Sequence, residues 1–193
     1  MTYRTRAEWR RLDVPGHEIA RLAQLDGGWT LNGTSLFGCR EGPCKLEYAV
    51  ICDARWQTLA ARVRGMIGPQ PVDLEVSIDE CRRWYWNGAE CAAVEGSADL
   101  DLAFSPATNL LPIRRLALPV GGEAEVKAAW LAFPSLELEV RYQTYRRTGE
   151  LMYRYESGQG SFVRSLEVNP AGFATDYPGQ WKIGSGGASA EVR

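Results

Sequence analysis

The chain has 193 residues, 45% of them hydrophobic and 24% charged, with a formal net charge of −2. That length suits one β-rich domain, and so balanced a charge, without a clustered basic stretch, argues against a nucleic-acid surface. No apolar run is long enough to cross a bilayer as a helix, and five cysteines, an odd number, exclude a complete intrachain disulfide framework.

In chain order, the opening Met1–Arg10 is polar and lacks the apolar stretch of a signal peptide, so a cytoplasmic location is expected. His17–Leu25 reads equally as a short amphipathic helix, with Ile19, Leu22 and Leu25 near one face, and as a strand leading into Trp29. Cys39 and Cys44 flank the turn at Gly42-Pro43, with Cys52 nearby and the single histidine, His17, far upstream. That spacing is loose for zinc, so buried free thiols and no metal are expected. Val72–Ile78 alternates apolar and polar residues, the mark of a half-buried strand. Trp84 and Trp86 share a face beside the Asn87-Gly88 turn, which predicts that at least one of them is exposed. Trp56, Trp130 and Trp181 are expected in the core.

Asp99–Leu102 predicts a strand with Asp99 and Asp101 opposite Leu100 and Leu102. Ser105 and Pro106 then form a helix start, a capping residue before a proline tolerated at the first position. Leu110, Leu111, Ile113 and Leu116 give that helix a broad apolar surface, and Pro112 is expected to kink or divide it. Glu123–Phe133 is ambiguous, because its alanines favour helix while its neighbours read as strands. From Leu136 onward the pattern is a β-meander: a hairpin around Thr148-Gly149, then Ser161–Val168 and Phe173–Tyr177. The Gly/Ser-rich end predicts a flexible tail at 184–193 behind one domain at 1–183.

The residues with chemistry to offer are few. Arg114 and Arg115 present guanidinium forks suited to phosphate or carboxylate, and they equally suit ion pairs with Asp99, Asp101 or Glu156 inside the fold. Tyr153 and Tyr155 share one strand face, Arg154 and Glu156 the other, while Gln143, Tyr145 and Arg147 share a face on the partner arm. Such a surface can stack on sugar rings, or it can be an ordinary cross-strand ladder. Ligand-contact candidates are therefore Asn109, Arg114, Arg115, Gln143, Tyr145, Arg154, Glu156, Trp84 and Trp86, with Asp99 and Asp101 as buried ion-pair candidates. No serine-nucleophile elbow, phosphate-binding loop or dinucleotide fingerprint occurs, and no cofactor is expected.

Several passages together resemble the family called putative glycolipid-binding. They are Cys52–Trp56, Trp84–Gly88, Asp99–Leu116, Ala128–Trp130 with Phe133-Pro134, Gln143–Arg147, Tyr153–Ser157 and Asp176–Trp181. They span nearly the whole chain, and Thr108–Leu116 is the most specific of them. The resemblance implies an all-β spiral roll, a long antiparallel sheet wrapped around a single central helix, and it tilts both ambiguous segments toward strand. It also implies a homodimer and a lipid or glycolipid-like amphipathic ligand.

Three functions follow as expectations. The first is a non-catalytic binding protein holding an amphipathic ligand in an apolar cleft with arginines at its mouth. The second is an enzyme acting on a carbohydrate-like or phosphorylated small molecule, with Asp101 and Glu156 as its acid and base. The third is a dimeric structural or regulatory protein without a small ligand.

Overall fold

Alternation of period two runs through most of the chain, and the architecture follows from it. The computed structural model describes residues 2–184. The N-terminal half supplies β1 (Thr2–Arg11), β2 (Gly16–Leu25), β3 (Gly28–Cys39), β4 (Gly42–Asp53), β5 (Thr58–Ile67), β6 (Gln70–Ile78) and the short β7 (Trp84–Trp86) and β8 (Ala89–Glu90). The C-terminal half supplies β9 (Asp99–Leu102), α1 (Leu110–Leu116), β10 (Glu123–Leu131), β11 (Leu138–Gly149) and β12 (Met152–Ser157). It ends with β13 (Phe162–Val168), β14 (Ala174–Tyr177) and β15 (Trp181–Ile183).

All fifteen strands form one sheet, running in space from β8 back to β1 and then from β15 back to β9. The first and last strands meet in its middle, with Trp9 opposite Ile183 and Arg11 opposite Trp181. The all-β roll is present, with one departure from a wholly antiparallel sheet: β9 and β10 run parallel. Parallel neighbours need a long crossover, and the segment carrying α1 provides it.

Both ambiguous segments are strands. In β2, Glu18, Ala20 and Leu22 are buried while His17 and Arg21 are exposed, so the two-residue period prevails over helical spacing. In β10, pairing with β9 on one side and β11 on the other overrides the helix preference of its alanines.

The helix begins as expected. Ser105 Oγ accepts the Ala107 N–H at 3.1 Å, and a 3₁₀ turn over Ala107–Asn109 passes directly into α1. Pro112 falls in the first turn of α1, where a missing N–H is tolerated, so the expected division lies instead at the 3₁₀-to-α change before Leu110. Ala117, with φ 43°, ends the helix in the left-handed region. Leu110, Leu111 and Ile113 are buried, each contributing about 1.5–3 kcal/mol by removal from water.

Both halves of the sheet hold this helix. From one side, Glu18 on β2 accepts hydrogen bonds from Tyr48 on β4 at 2.7 Å and from Ser105 at 2.5 Å. From the other, the Tyr145 hydroxyl on β11 donates to Asn109 Oδ1 at 2.9 Å.

The tryptophans divide differently from expectation. Trp56 and Trp181 are buried as expected, but Trp130 is half-buried, because it walls a cavity instead of filling the core. Trp84 is fully buried, with its indole N–H donated to Ser97 O at 3.2 Å, and Trp86 is half-buried. Apart from Gly184, the tail expected at 184–193 lies outside the described residues.

Candidate functional site

Strand parity decides which side chains see the interior. On β11, Arg141, Gln143, Tyr145 and Arg147 share one face, and on β12 Tyr153, Tyr155 and Ser157 do. The register sets Gln143 opposite Ser157, Tyr145 opposite Tyr155 and Arg147 opposite Tyr153. This is the inner face: Gln143, Tyr145, Tyr153, Tyr155 and Ser157 are all buried. Arg154 and Glu156 occupy the outer face of β12, where they form a solvent-side ion pair at 2.6 Å. The wall of Gln143 and Tyr145 and the Arg154–Glu156 pair therefore point to opposite sides of the sheet.

Between this inner face and the start of α1 lies a cavity of about 240 Å³. Asp101, Ser105 and Asn109 form its helix side, and Trp130, Arg141 and Ser157 line it from β10, β11 and β12. Tyr155, Phe162, Tyr177 and Trp181 complete an aromatic enclosure, with Tyr155 5.1 Å from Tyr145 and 6.2 Å from Tyr177, centroid to centroid. The interior expected to be an apolar cleft is a polar-aromatic one, because β11 and β12 alternate with polar residues on their inward side.

Most polar atoms around the cavity are engaged. Asp101 accepts the Gln143 amide at 2.7 Å and the Thr108 hydroxyl at 3.1 Å. Burial raises its carboxyl above the usual range, while those donors and the charge of Arg141 act in the other direction. Burial also pushes the Tyr145 and Tyr155 phenols above the usual tyrosine range. Arg141 is the exception. Its guanidinium lies 3.4 Å over the Trp130 ring, and among the described residues it makes no hydrogen bond or ion pair. A stacked guanidinium with free donors can bind a carboxylate or phosphate through two parallel hydrogen bonds.

The two adjacent helix arginines separate. Arg115 is bound on two sides to buried Asp99, through Nε at 2.9 Å and Nη2 at 2.6 Å, which makes it a structural tie between α1 and β9. Asp101 and Glu156 take other partners. Arg114 is exposed at the far end of α1, over Trp56 in a second cavity of about 380 Å³. Of the remaining candidates, Asn109 lines the inner cavity, and Gln143 and Tyr145 brace the residues that do. Trp84 is fully buried and lines neither of these two cavities, and Trp86 lies in a separate groove with Pro134 and Leu136.

Two features were missed. Arg141 has the same parity as Gln143 and Tyr145, so extending that face by one step would have found it. Glu18 is fully buried on an otherwise apolar strand face; burial raises its carboxyl to about 7, with the Ser105 and Tyr48 hydrogen bonds opposing that shift. The strand reading of β2 would have exposed this anomaly, and the helical reading hid it.

Residues 6–182 match the family described as Putative glycolipid-binding. Among solved structures, a DUF1089 family protein from Pseudomonas aeruginosa is similar at 31% identity and a TM-score of 0.76, over 86% of this chain and 91% of that one. A β-barrel-like protein of unknown function from Brucella abortus shares the fold, with a TM-score of 0.52 and 10% identity over 93% of this chain and 95% of that one. No curated protein sequence matches the chain.

Proposed function

This chain belongs to the Putative glycolipid-binding family, and we propose that it is a non-catalytic binding protein for an amphipathic, glycolipid-like ligand whose sugar-type head occupies the inner cavity. One observation carries the reading: the unpaired Arg141 guanidinium, stacked on Trp130, shares a small enclosure with Asp101, Tyr155 and Trp181. Aromatic faces stack on sugar rings, the carboxylate and amide groups accept or donate to hydroxyls, and Arg141 takes an acidic substituent. At about 240 Å³ the cavity falls below the ~300–1,000 Å³ of ordinary ligand sites, so it suits a head group alone. The apolar tail stays outside it.

The absence of catalysis is supported by the carboxylates. Asp101 lines the inner cavity, whereas Glu156 lines a groove with Tyr142 and Gln159, so the two do not flank a common bond. The reading includes a cytoplasmic location, in keeping with an odd number of cysteines and no disulfide among the described residues. It also includes a homodimer, for which Val140 and Tyr142, exposed on the outer face of β11, are the contact to test by light scattering.

The test is calorimetric titration with octyl glucuronide, an alkyl glycoside bearing a carboxylate, together with native mass spectrometry of freshly purified protein. Saturable binding, weakened at least tenfold by Arg141→Ala, is the expected result. No co-purifying species and no measurable affinity would defeat the proposal.

A further inference from the structure

The second cavity lies at the opposite end of α1, between the turn after β4 and the loop after β13. Arg114 dominates it. Its guanidinium sits 5.1 Å from the Trp56 ring centroid, and among the described residues no carboxylate lies within ion-pair distance of it. Arg115, one residue along, is instead bound to Asp99 through Nε and Nη2.

The platform under Arg114 is held unusually firmly. Trp56 stands at φ 69°, a left-handed conformation rare for a bulky side chain, and stacks on Trp29 at 4.5 Å with a 16° interplanar angle. Asp53 secures that turn by accepting the Arg55 and Gln57 amides at 2.9 and 2.8 Å. On the other side Gly172, at φ 99°, lets the loop approach the aliphatic part of Arg114, since a Cβ there would lie 3.3 Å from its Cδ. The aliphatic stem of Arg114 thus lies against the loop and its guanidinium over the indole, with no acceptor among the described residues.

A second cation adds to the field. Arg147 donates to the backbone carbonyls of Leu118 at 2.8 Å and Glu150 at 2.5 Å, which fixes its charge at the rim without neutralising it. Glu150 is the single acid among the lining residues, against two arginines. Ile113, Leu151 and Val168 give the remaining wall an apolar part, beside Tyr153 and Asn169.

We infer that this cavity is a second binding site, distinct from the inner one, for the oxyanion head (phosphate or carboxylate) of a small amphipathic anion. The Arg114 fork takes the oxygens in paired hydrogen bonds, Arg147 supplies long-range attraction, and the apolar wall takes the attached hydrocarbon. The inference is independent of the sugar site, because it rests on different residues.

The experiment titrates octyl phosphate and, separately, inorganic phosphate into the full chain, following the indole N–H signals of Trp56 and Trp29 by NMR. Octyl phosphate should bind saturably and shift the Trp56 signal, and Arg114→Ala should weaken it at least tenfold. Arg114 is exposed, so the variant is expected to fold; an unchanged near-ultraviolet circular dichroism spectrum checks this. Arg154→Ala, on the outer face of β12, should leave the Trp56 response unchanged. Equal affinity for the two phosphates would overturn the amphipathic assignment. An unchanged Trp56 response in Arg114→Ala would overturn the second site itself.

Discussion

From β4, β5 and β6 the side chains that face inward are mostly aliphatic, among them Leu46, Val50, Val63, Leu74 and Val76, with Tyr48 tied to Glu18; from β11 and β12 they include Arg141, Gln143, Tyr145, Tyr155 and Ser157. Both walls alternate with the same period and curl around the same helix, yet one makes a largely apolar core and the other a polar-aromatic cavity. Apolar burial is non-directional, so the first wall needs only volume and fit. The second must satisfy each polar atom, and it does so through Gln143 with Asp101 and Tyr145 with Asn109. What remains unpaired after that accounting, among the described residues, is Arg141, the group the proposed ligand would engage.

Truncations should separate the two walls. Leu46→Ala removes a fully buried side chain from the largely apolar wall and should cost about 3–5 kcal/mol in urea unfolding. Arg141→Ala should cost far less, because its removal leaves no buried group unpaired. Similar losses at both positions would erase the distinction.

Glu18 offers a test by pH. In the folded protein its carboxyl stays neutral up to about 7, whereas in the unfolded chain it ionises near 4.5. The folded state therefore binds more protons in between, so this group's stabilisation is present at low pH and is lost as pH rises to about 7. The decline is on the order of 3 kcal/mol. Urea titrations at pH 5 and pH 8 should show it in the native sequence and not in Glu18→Gln.

Smaller effects belong to the ion pairs. Asp99→Ala strands Arg115, which is partly solvated, and should cost about 2 kcal/mol, seen as a lower unfolding midpoint. Arg154→Ala breaks an exposed pair on the outer face and should cost under about 0.5 kcal/mol in the same assay, with no effect on ligand binding.

The sequence made the meander and the helix start at Ser105 legible, because each rests on local period or local capping; it offered Asp99 as one of three carboxylate partners for Arg114 and Arg115 without saying which arginine takes it. The strand identity of β2 and β10 was not, since it is decided by hydrogen-bonded neighbours far along the chain. The candidate site was legible in part. Parity grouped Gln143 with Tyr145, and separated Arg154 and Glu156 from the tyrosines, without revealing which face is inward. Trp84 looked available beside its turn, yet the Ser97 carbonyl that accepts its N–H and the residues that cover it are distant contacts. Arg114 and Arg115 are indistinguishable as neighbours in sequence; the helix's rotation sends one to Asp99 and the other to Trp56.

The most direct test of the cavity is an NMR titration of the full chain with octyl glucuronide, read at the tryptophan indole N–H signals. Trp130 and Trp181 should shift together and saturate, Trp84 should not move, and Arg141→Ala should abolish the response. Shifts confined to Trp84 or Trp86, or an unchanged response in Arg141→Ala, would contradict the assignment of the polar wall as the binding face.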